Sequence, residues 1–162
     1  MRTKEIKIPN YVVFKQQMYT AFKENKMEEA TNYAHEYLNL SKLNQDWNFE
    51  DAVHHSNLVL GLIALKKGEV EQSKNHLIKA GKTKGNGVLK SFGPNMSLAN
   101  ELLKIGEREV VLEYISLIKK FWYMIFSWRK TRLWKKQILN NELPEFGGNL
   151  IYGMNPMGNK TA

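Results

Sequence analysis

Apolar residues recur at intervals of three and four along most of this chain, the spacing that places side chains on one face of an α-helix. The pattern predicts a first helix that is capped by Asn10 and runs to about Lys23, and a second over about 26–43. The stretch 49–67 is so apolar that we expect a central helix there, with Gly68 as its C-terminal cap. The remaining predicted elements are a fourth helix to Ala80, a glycine-rich loop at 81–87, a fifth helix from Pro94 to Gly106, a sixth over about 107–122 and a seventh over about 128–140.

A six-residue phrase recurs between these helices, at Asn25–Ala30, Gly68–Ser73 and Gly106–Val111. Each copy begins with a turn residue, continues with acid and closes with a small or β-branched residue. Repetition of this kind is typical of stacked helical hairpins. We therefore predict an all-α fold, a short antiparallel helical-hairpin array. Its boundaries are hairpins at about 10–43, 49–81 and 94–122, an additional C-terminal helix, one domain over 1–143, and an irregular tail over 144–162.

The middle hairpin has small residues where its two helices would cross. Leu60-Gly61, Ala64, Gly68, Ser73, Leu77 and Ala80 fall at the spacings of the tetratricopeptide repeat, a 34-residue helical hairpin. The flanking hairpins match this pattern less well, the repeat spacing is irregular, and Asn57 stands where the pattern has its leading tryptophan. The chain therefore resembles a divergent tetratricopeptide-like array over residues 10–122.

A narrower resemblance covers most of the chain. It is carried by His54-His-Ser-Asn57 with Leu60-Gly61, Ser91-Phe-Gly-Pro-Asn-Met96, Gly106-Glu107, Phe121-Trp122 and Glu145-Phe-Gly-Gly-Asn-Leu-Ile-Tyr152. These motifs are similar to those of a family of uncharacterised bacterial tetratricopeptide-like proteins. The resemblance implies the helical-repeat fold and a bacterial cytoplasmic setting, and it supplies no activity.

Positive charge is concentrated near the C-terminus. The net charge is +8, from 24 basic and 16 acidic residues, and the segment 119–136 contributes +7 with no acid. We call residues 119–136 the basic aromatic segment, because tryptophan, phenylalanine and tyrosine interleave with its cations. Its candidate site residues are Lys119, Lys120, Trp128, Arg129, Lys130, Arg132, Trp134, Lys135 and Lys136.

Three kinds of partner suit that mixture. Aromatic anchors with a basic rim can bind an anionic membrane surface, can stack on bases and contact phosphates of a nucleic acid, or can hold an acidic or amphipathic partner helix. The alternative interpretation is structural: the aromatic rings complete the core of the last hairpin while the cations face water.

Other residues with chemical potential favour structural interpretations. His54 and His55 are adjacent on a helix and point about 100° apart, so one ion could not easily bind both, and a polar pair is expected. Gly81-Lys82-Thr83 resembles the end of a phosphate loop but lacks the glycine five residues earlier. The turn before the fifth helix could bind an anion or could be purely structural. We predict no catalytic residue, metal or cofactor.

The functional prediction is a non-catalytic helical-repeat scaffold that binds a peptide or protein on its concave face. Fold-level analogy with stacked hairpins assigns the contacts there to Gln17, Asn57, Asn95 and Asn100. The alternative is binding of nucleic acid or an anionic membrane through the basic aromatic segment, and a homo-oligomer stays open. The absence of cysteine, of a secretory pattern over 1–9 and of a long apolar run favours the cytoplasm.

Overall fold

The computed structural model describes residues 11–44 and 47–152, and in that part of the chain every regular element is helical. The all-α prediction is confirmed. The predicted cap Asn10, the segment 1–9 and the end of the predicted tail, 153–162, lie outside the described residues. The helices are α1 Tyr11–Lys23, α2 Met27–Asn44, α3 Trp47–Lys66, α4 Val70–Gly81, α5 Gly87–Phe92, α6 Ser97–Lys104, α7 Arg108–Ile118 and α8 Ser127–Leu139, followed by a short 3-10 helix, Gly147–Leu150.

The helices pack as successive hairpins. Helix α1 packs against α2, α2 against α3, and α3 against α4, while α6 packs against α7. Contacts also link α1 with α3 and α3 with α6, so the first helices of the three pairs are neighbours. Helix α4 in turn contacts α7, and α8 follows against α7. This arrangement is compatible with the predicted hairpin array with an additional C-terminal helix.

The recurring phrase marks one way of ending a helix. Asn25, Gly68 and Gly106 all have positive φ angles, of 62°, 80° and 92°. At each site the next residue donates its N–H to a carbonyl five positions back, and the turn residue donates to one three positions back, which is a Schellman motif. The first residue of the six-residue phrase is therefore Gly or Asn, because these residues adopt the left-handed conformation at the lowest energetic cost.

Small residues let the helices approach closely. A Cβ built on Gly61 of α3 would collide with the side chain of Leu98 on α6. A Cβ on Gly81, at the end of α4, would lie 2.8 Å from Cδ2 of Tyr114 on α7. The core is continuous across these crossings, with Leu58, Leu77 and Leu102 among its fully buried members.

The region between α4 and α6 differs from the prediction. Residues 87–92 form the short helix α5, capped by the Asn86 side chain, which accepts a hydrogen bond from the Leu89 N–H at 2.9 Å. The following helix, α6, begins at Ser97 rather than at Pro94. The Asn95 side chain accepts a 2.8 Å hydrogen bond from the Ser97 N–H, so Asn95 precedes the helix instead of belonging to it.

The described part of the tail docks on the array. Asn149 donates through Nδ2 to the Pro94 carbonyl at 2.9 Å, and its own carbonyl accepts from the Met96 N–H at 2.8 Å. Phe146 is buried and meets Trp134 of α8 edge to face, with ring centroids 5.0 Å apart. Residues 144–152 thus cover the junction between α5 and α6.

Candidate functional site

The most unusual surface lies in the connection between α7 and α8, residues 119–126. Phe121 and Trp122 turn inward and are buried. The next four side chains point outward: Tyr123, Met124, Ile125 and Phe126 are between 49% and 75% exposed. We call residues 123–126 the apolar tip. Isolated exposed apolar residues are normal on proteins, but four in succession form a patch that marks interaction surfaces.

The residues on either side of the apolar tip, Trp122 and Ser127, are held in place by packing and hydrogen bonds. Trp122 lies against the backbone of Gly93, where a Cβ would come within 2.6 Å of the indole, and it stacks on Trp134 with centroids 5.8 Å apart. On the other side, Ser127 donates to the Met124 carbonyl through both its N–H, at 2.8 Å, and its Oγ, at 2.7 Å. The tip is therefore held at both ends rather than being a loose loop.

Cations flank the apolar tip in the sequence. Two lysines precede it and five cations follow it on α8, and all seven are exposed: Lys119, Lys120, Arg129, Lys130, Arg132, Lys135 and Lys136. Within the described chain, none of the ion pairs formed by side chains includes one of these seven. Their charge is thus not neutralised by neighbouring carboxylates and is available to an anionic partner.

The aromatic rings of the basic aromatic segment divide between core and surface. Trp134 is buried between Trp122 and Phe146, as the structural interpretation expected of these rings. Trp128 is 52% exposed, and the Arg129 guanidinium lies 5.4 Å from its ring centroid. Trp134 therefore supports the segment from within, while Trp128 belongs to its accessible surface.

Of the four residues predicted on the concave face, two are interior. Asn57 donates to the Val53 carbonyl at 2.8 Å, and its Oδ1 accepts from Nδ1 of His76 at 2.9 Å. Asn95 is fully buried, and its Nδ2 donates to the Tyr152 carbonyl at 2.7 Å. These amides are committed to internal hydrogen bonds and are inaccessible to a partner in this conformation.

The other two predicted contacts are partly exposed. Gln17 lines a shallow depression between α1 and α2. Asn100 is on α6, where its Nδ2 lies 3.3 Å from Oε1 of Glu101. The concave-face set therefore contributes two partly exposed side chains rather than four.

The paired histidines belong to a buried polar network. His54 accepts at Nε2 from the Asn95 N–H, and its Nδ1–H donates to the Ala80 carbonyl, both at 3.1 Å. Since one ring nitrogen donates and the other accepts, the imidazole is neutral. Burial lowers its pKa to about 4. Among the described residues, no cluster of histidine, aspartate and glutamate could hold a metal ion.

His55 connects to a second part of this network. Its Nδ1 lies 2.6 Å from the Tyr19 hydroxyl, and its Nε2 lies 3.6 Å from Oδ1 of Asp51. Asp51 also accepts from Lys15 at 3.0 Å and from the Tyr37 hydroxyl at 2.8 Å. Burial by itself raises the pKa of Asp51, whereas the charge of Lys15 and the hydrogen bonds from Lys15 and Tyr37 lower it, and the pKa is held below its ordinary value.

The loop that resembles a phosphate-binding sequence already holds a carboxylate. Oγ1 of Thr83 lies 2.7 Å from Oε2 of Glu50, and the Lys84 N–H donates to the same oxygen at 2.5 Å. A phosphate would have to displace Glu50 from these donors. This loop therefore serves to fasten α4 to the start of α3.

No helix in the described part of the chain is long and apolar enough to cross a bilayer. A groove of about 780 Å³ lies between α4, α7 and the end of α8, and none of the predicted contact residues lines it. No family model, curated protein or solved structure matches the chain. The most distinctive part of the surface is the apolar tip with the exposed cations that precede and follow it.

Proposed function

We propose that this protein is a non-catalytic helical protein that docks on an anionic membrane surface through the basic aromatic segment. The observation that supports the proposal is the apolar tip, four consecutive exposed apolar side chains flanked by seven exposed cations. Apolar side chains gain free energy on entering the acyl boundary, and lysines and arginines gain from anionic headgroups. The basic aromatic segment offers exposed side chains of both kinds.

The available energy is sufficient for reversible binding. Full burial of one large apolar side chain is worth about 1.5–3 kcal/mol, so half of that gain over four side chains gives about 3–6 kcal/mol. Each cation held near an anionic surface adds about 1 kcal/mol. These gains are reduced by the lost freedom of the bound protein. We therefore expect a peripheral association that depends on both the tip and the charge.

A membrane explains the composition of the tip better than a nucleic acid does. Met124 and Ile125 lack the planar faces on which bases stack, yet they are among its exposed side chains. Trp134, which could have provided such a face, is buried, and Arg129 lies over the ring of Trp128. Nucleic acid remains an outcome that the experiment must be able to reveal.

A scaffold that binds a peptide or protein stays a prediction. The support for this prediction is weaker because Asn57 and Asn95, two of its four proposed contact residues, are interior. The proposal sets the protein in the cytoplasm, at the inner leaflet, whose anionic lipids attract basic segments. Self-association through the tip is a further outcome to be distinguished.

The test is co-sedimentation with vesicles of phosphatidylcholine alone or mixed with phosphatidylglycerol. The wild type is compared with the tip variant Ile125→Ser/Phe126→Ser and the charge variant Lys130→Gln/Lys135→Gln. The matched control is Ile105→Ser, which removes an isoleucine that is 53% exposed in the turn between α6 and α7. Thermal melts establish that all variants fold.

We expect binding to the anionic vesicles, weakened by salt and by both test variants but not by the control. The tip variant should bind at least tenfold more weakly, as loss of about 1.4 kcal/mol or more requires. Absence of vesicle binding, or equal binding by the tip variant, would refute the proposal. Retention of an RNA oligonucleotide without vesicle binding would favour nucleic acid instead. Light scattering that shows larger species for the wild type alone would favour self-association.

A further inference from the structure

The excess positive charge of this chain lies in two segments, not one. Residues 79–92 contain Lys79, Lys82, Lys84 and Lys90 and no acid, so they carry +4 beside the +7 of the basic aromatic segment. The rest of the chain then has 13 basic residues against all 16 acidic ones. Two separate basic segments raise the question of whether the fold brings them together.

The fold joins them at two points. A Cβ built on Gly85 would lie 3.0 Å from Phe121, and one built on Gly93 would lie 2.6 Å from the indole of Trp122. Both glycines have positive φ angles, so neither contact tolerates a side chain easily. The loop and helix over 82–93 therefore lie directly against the two residues that precede the apolar tip.

This second segment has an exposed apolar element of its own. Phe92 is 63% exposed although its ring stacks on Tyr152, with centroids 5.3 Å apart and planes inclined by 20°. Ile151, next to Tyr152, is 59% exposed. The position of Phe92 is fixed, because its carbonyl accepts from Nδ2 of Asn149 at 3.3 Å and the next residue, Gly93, rests on Trp122.

The neighbouring charges favour the same kind of partner. Lys82 and Lys84 are exposed and Lys90 is partly exposed. The Glu50 carboxylate, which accepts from the Thr83 hydroxyl and the Lys84 main-chain N–H, offsets one of these four charges. Among the described residues, no side-chain ion pair includes a lysine of residues 79–92, so their side chains are left to meet another anion.

We infer that Phe92, Ile151 and Tyr152, with the lysines of residues 79–92, form a second contact with the same anionic membrane. This inference rests on the proposed function. Two contacts, joined through Gly85–Phe121 and Gly93–Trp122, fix the direction in which the array faces the bilayer. A single tip would leave the protein free to tilt about it, whereas a pair of rigid contacts restricts that rotation.

Single-cysteine labelling tests the inference, because the chain has no cysteine. An environment-sensitive fluorophore is attached to Tyr123→Cys in the tip, to Ile151→Cys in the second contact, or to Ile105→Cys as the control. Emission is recorded with phosphatidylcholine vesicles that contain or lack phosphatidylglycerol. We expect a blue shift at positions 123 and 151 on anionic vesicles and none at position 105.

The possible outcomes separate the two ideas. A blue shift at position 123 without one at position 151 would overturn the second contact and leave the proposed function standing. No shift at either position would refute the proposed function itself. Blue shifts at all three positions would indicate adsorption without a fixed orientation and would likewise overturn the inference.

Affinity measurements provide an independent readout. Lys82→Gln/Lys84→Gln should weaken binding to anionic vesicles by about fivefold per lysine, since each cation near the surface contributes about that factor. Phe92→Ser should weaken it by a similar factor without preventing folding, because the ring is mostly exposed. The control is Lys67→Gln, at an exposed lysine just beyond the end of α3. If Lys82→Gln/Lys84→Gln and Phe92→Ser bind as tightly as this control, the inference of a second contact is wrong.

Discussion

Mild acid should destabilise this protein, and His54 should account for a definite share of the loss. The imidazole is fully buried, donates from Nδ1 to the Ala80 carbonyl and accepts at Nε2 from the Asn95 N–H. A proton on Nε2 would replace that acceptor by a second donor and would place a charge in the core. The native state therefore resists protonation, while the unfolded chain accepts a proton freely.

The sign and size of the effect of pH on stability follow from the pKa of His54 in the unfolded and folded states. The ordinary pKa is 6.5, and burial lowers it to about 4 in the folded protein. A depressed histidine contributes stability that is fully present above pH 6.5 and is lost as the pH falls towards 4. A difference of this size corresponds to about 3 kcal/mol, a substantial part of the about 5–15 kcal/mol that holds a typical domain together.

The assay is urea unfolding, followed by tryptophan fluorescence, at a series of pH values between neutrality and the folded pKa. His54→Gln keeps an amide donor and acceptor but cannot titrate. Between the two pKa values, the uptake of one proton on unfolding makes the free energy of unfolding fall by about 1.4 kcal/mol for each unit decrease in pH. This dependence is the slope to be compared. The slope of the variant should be smaller than that of the wild type by this amount, whatever its stability at neutral pH.

The comparison also controls for the other histidines. Burial lowers the pKa of His55 and of His76 as well, so part of the acid sensitivity will persist in the variant. His35→Gln, at an exposed position on α2, controls for the loss of an imidazole at the surface. Identical slopes for the wild type and His54→Gln would show that the His54 network is not the acid-sensitive element and would refute the reasoning.

Three further predictions concern the packing of the array. Gly61→Ala should lower the free energy of unfolding by about 1–3 kcal/mol, because its Cβ would collide with the Leu98 side chain of α6. The control Gly87→Ala should change it little, because a Cβ there meets nothing within 4 Å. Urea denaturation measures the effect of both substitutions. Tyr37→Phe should cost about 1–3 kcal/mol in the same assay by leaving the buried Asp51 short of a donor, and an unchanged midpoint would contradict this. Asn149→Ala should loosen the docked tail by removing the amide hydrogen bonds to the Phe92 and Pro94 carbonyls, and should make residues 144–152 more sensitive to limited proteolysis; equal cleavage rates for variant and wild type would contradict the prediction.

The hairpin turns could be predicted from the sequence because their cause is local. Asn25, Gly68 and Gly106 carry the left-handed conformation themselves, and the hydrogen bonds that close each turn span at most five residues. The six-residue helix α5 could not be predicted in the same way. It is too short to display a helical period, and it is fixed by its Asn86 cap and by the glycines on either side of it, Gly85 against Phe121 and Gly93 against Trp122.

The interior position of Asn95 depends on partners far along the chain. Asn95 binds Tyr152, 57 residues away, and His54, 41 residues away. No local pattern reveals such partners, so a polar residue is naturally expected at the surface. The burial of Trp134 did leave a signal. Ser127, Thr131, Trp134 and Ile138 are the buried residues of α8 and recur at spacings of four, three and four, a stripe from which Trp128 is absent.

The exposed side chains of the apolar tip are hard to explain as a by-product of folding. The same eight-residue connection contains Phe121 and Trp122, which are buried against backbone that glycines leave open for them. A connection able to bury two aromatic residues so closely is not short of core positions, yet it holds its next four side chains in water. Rigid support beneath an unfavourable surface lowers the entropy lost on binding. Departures of a sequence from its own folding pattern are expected at functional sites. The tip and the Phe92–Tyr152 stack, which flank the contact between Gly93 and Trp122, are two such departures on the same part of the surface, and a bilayer is broad enough to satisfy both at once.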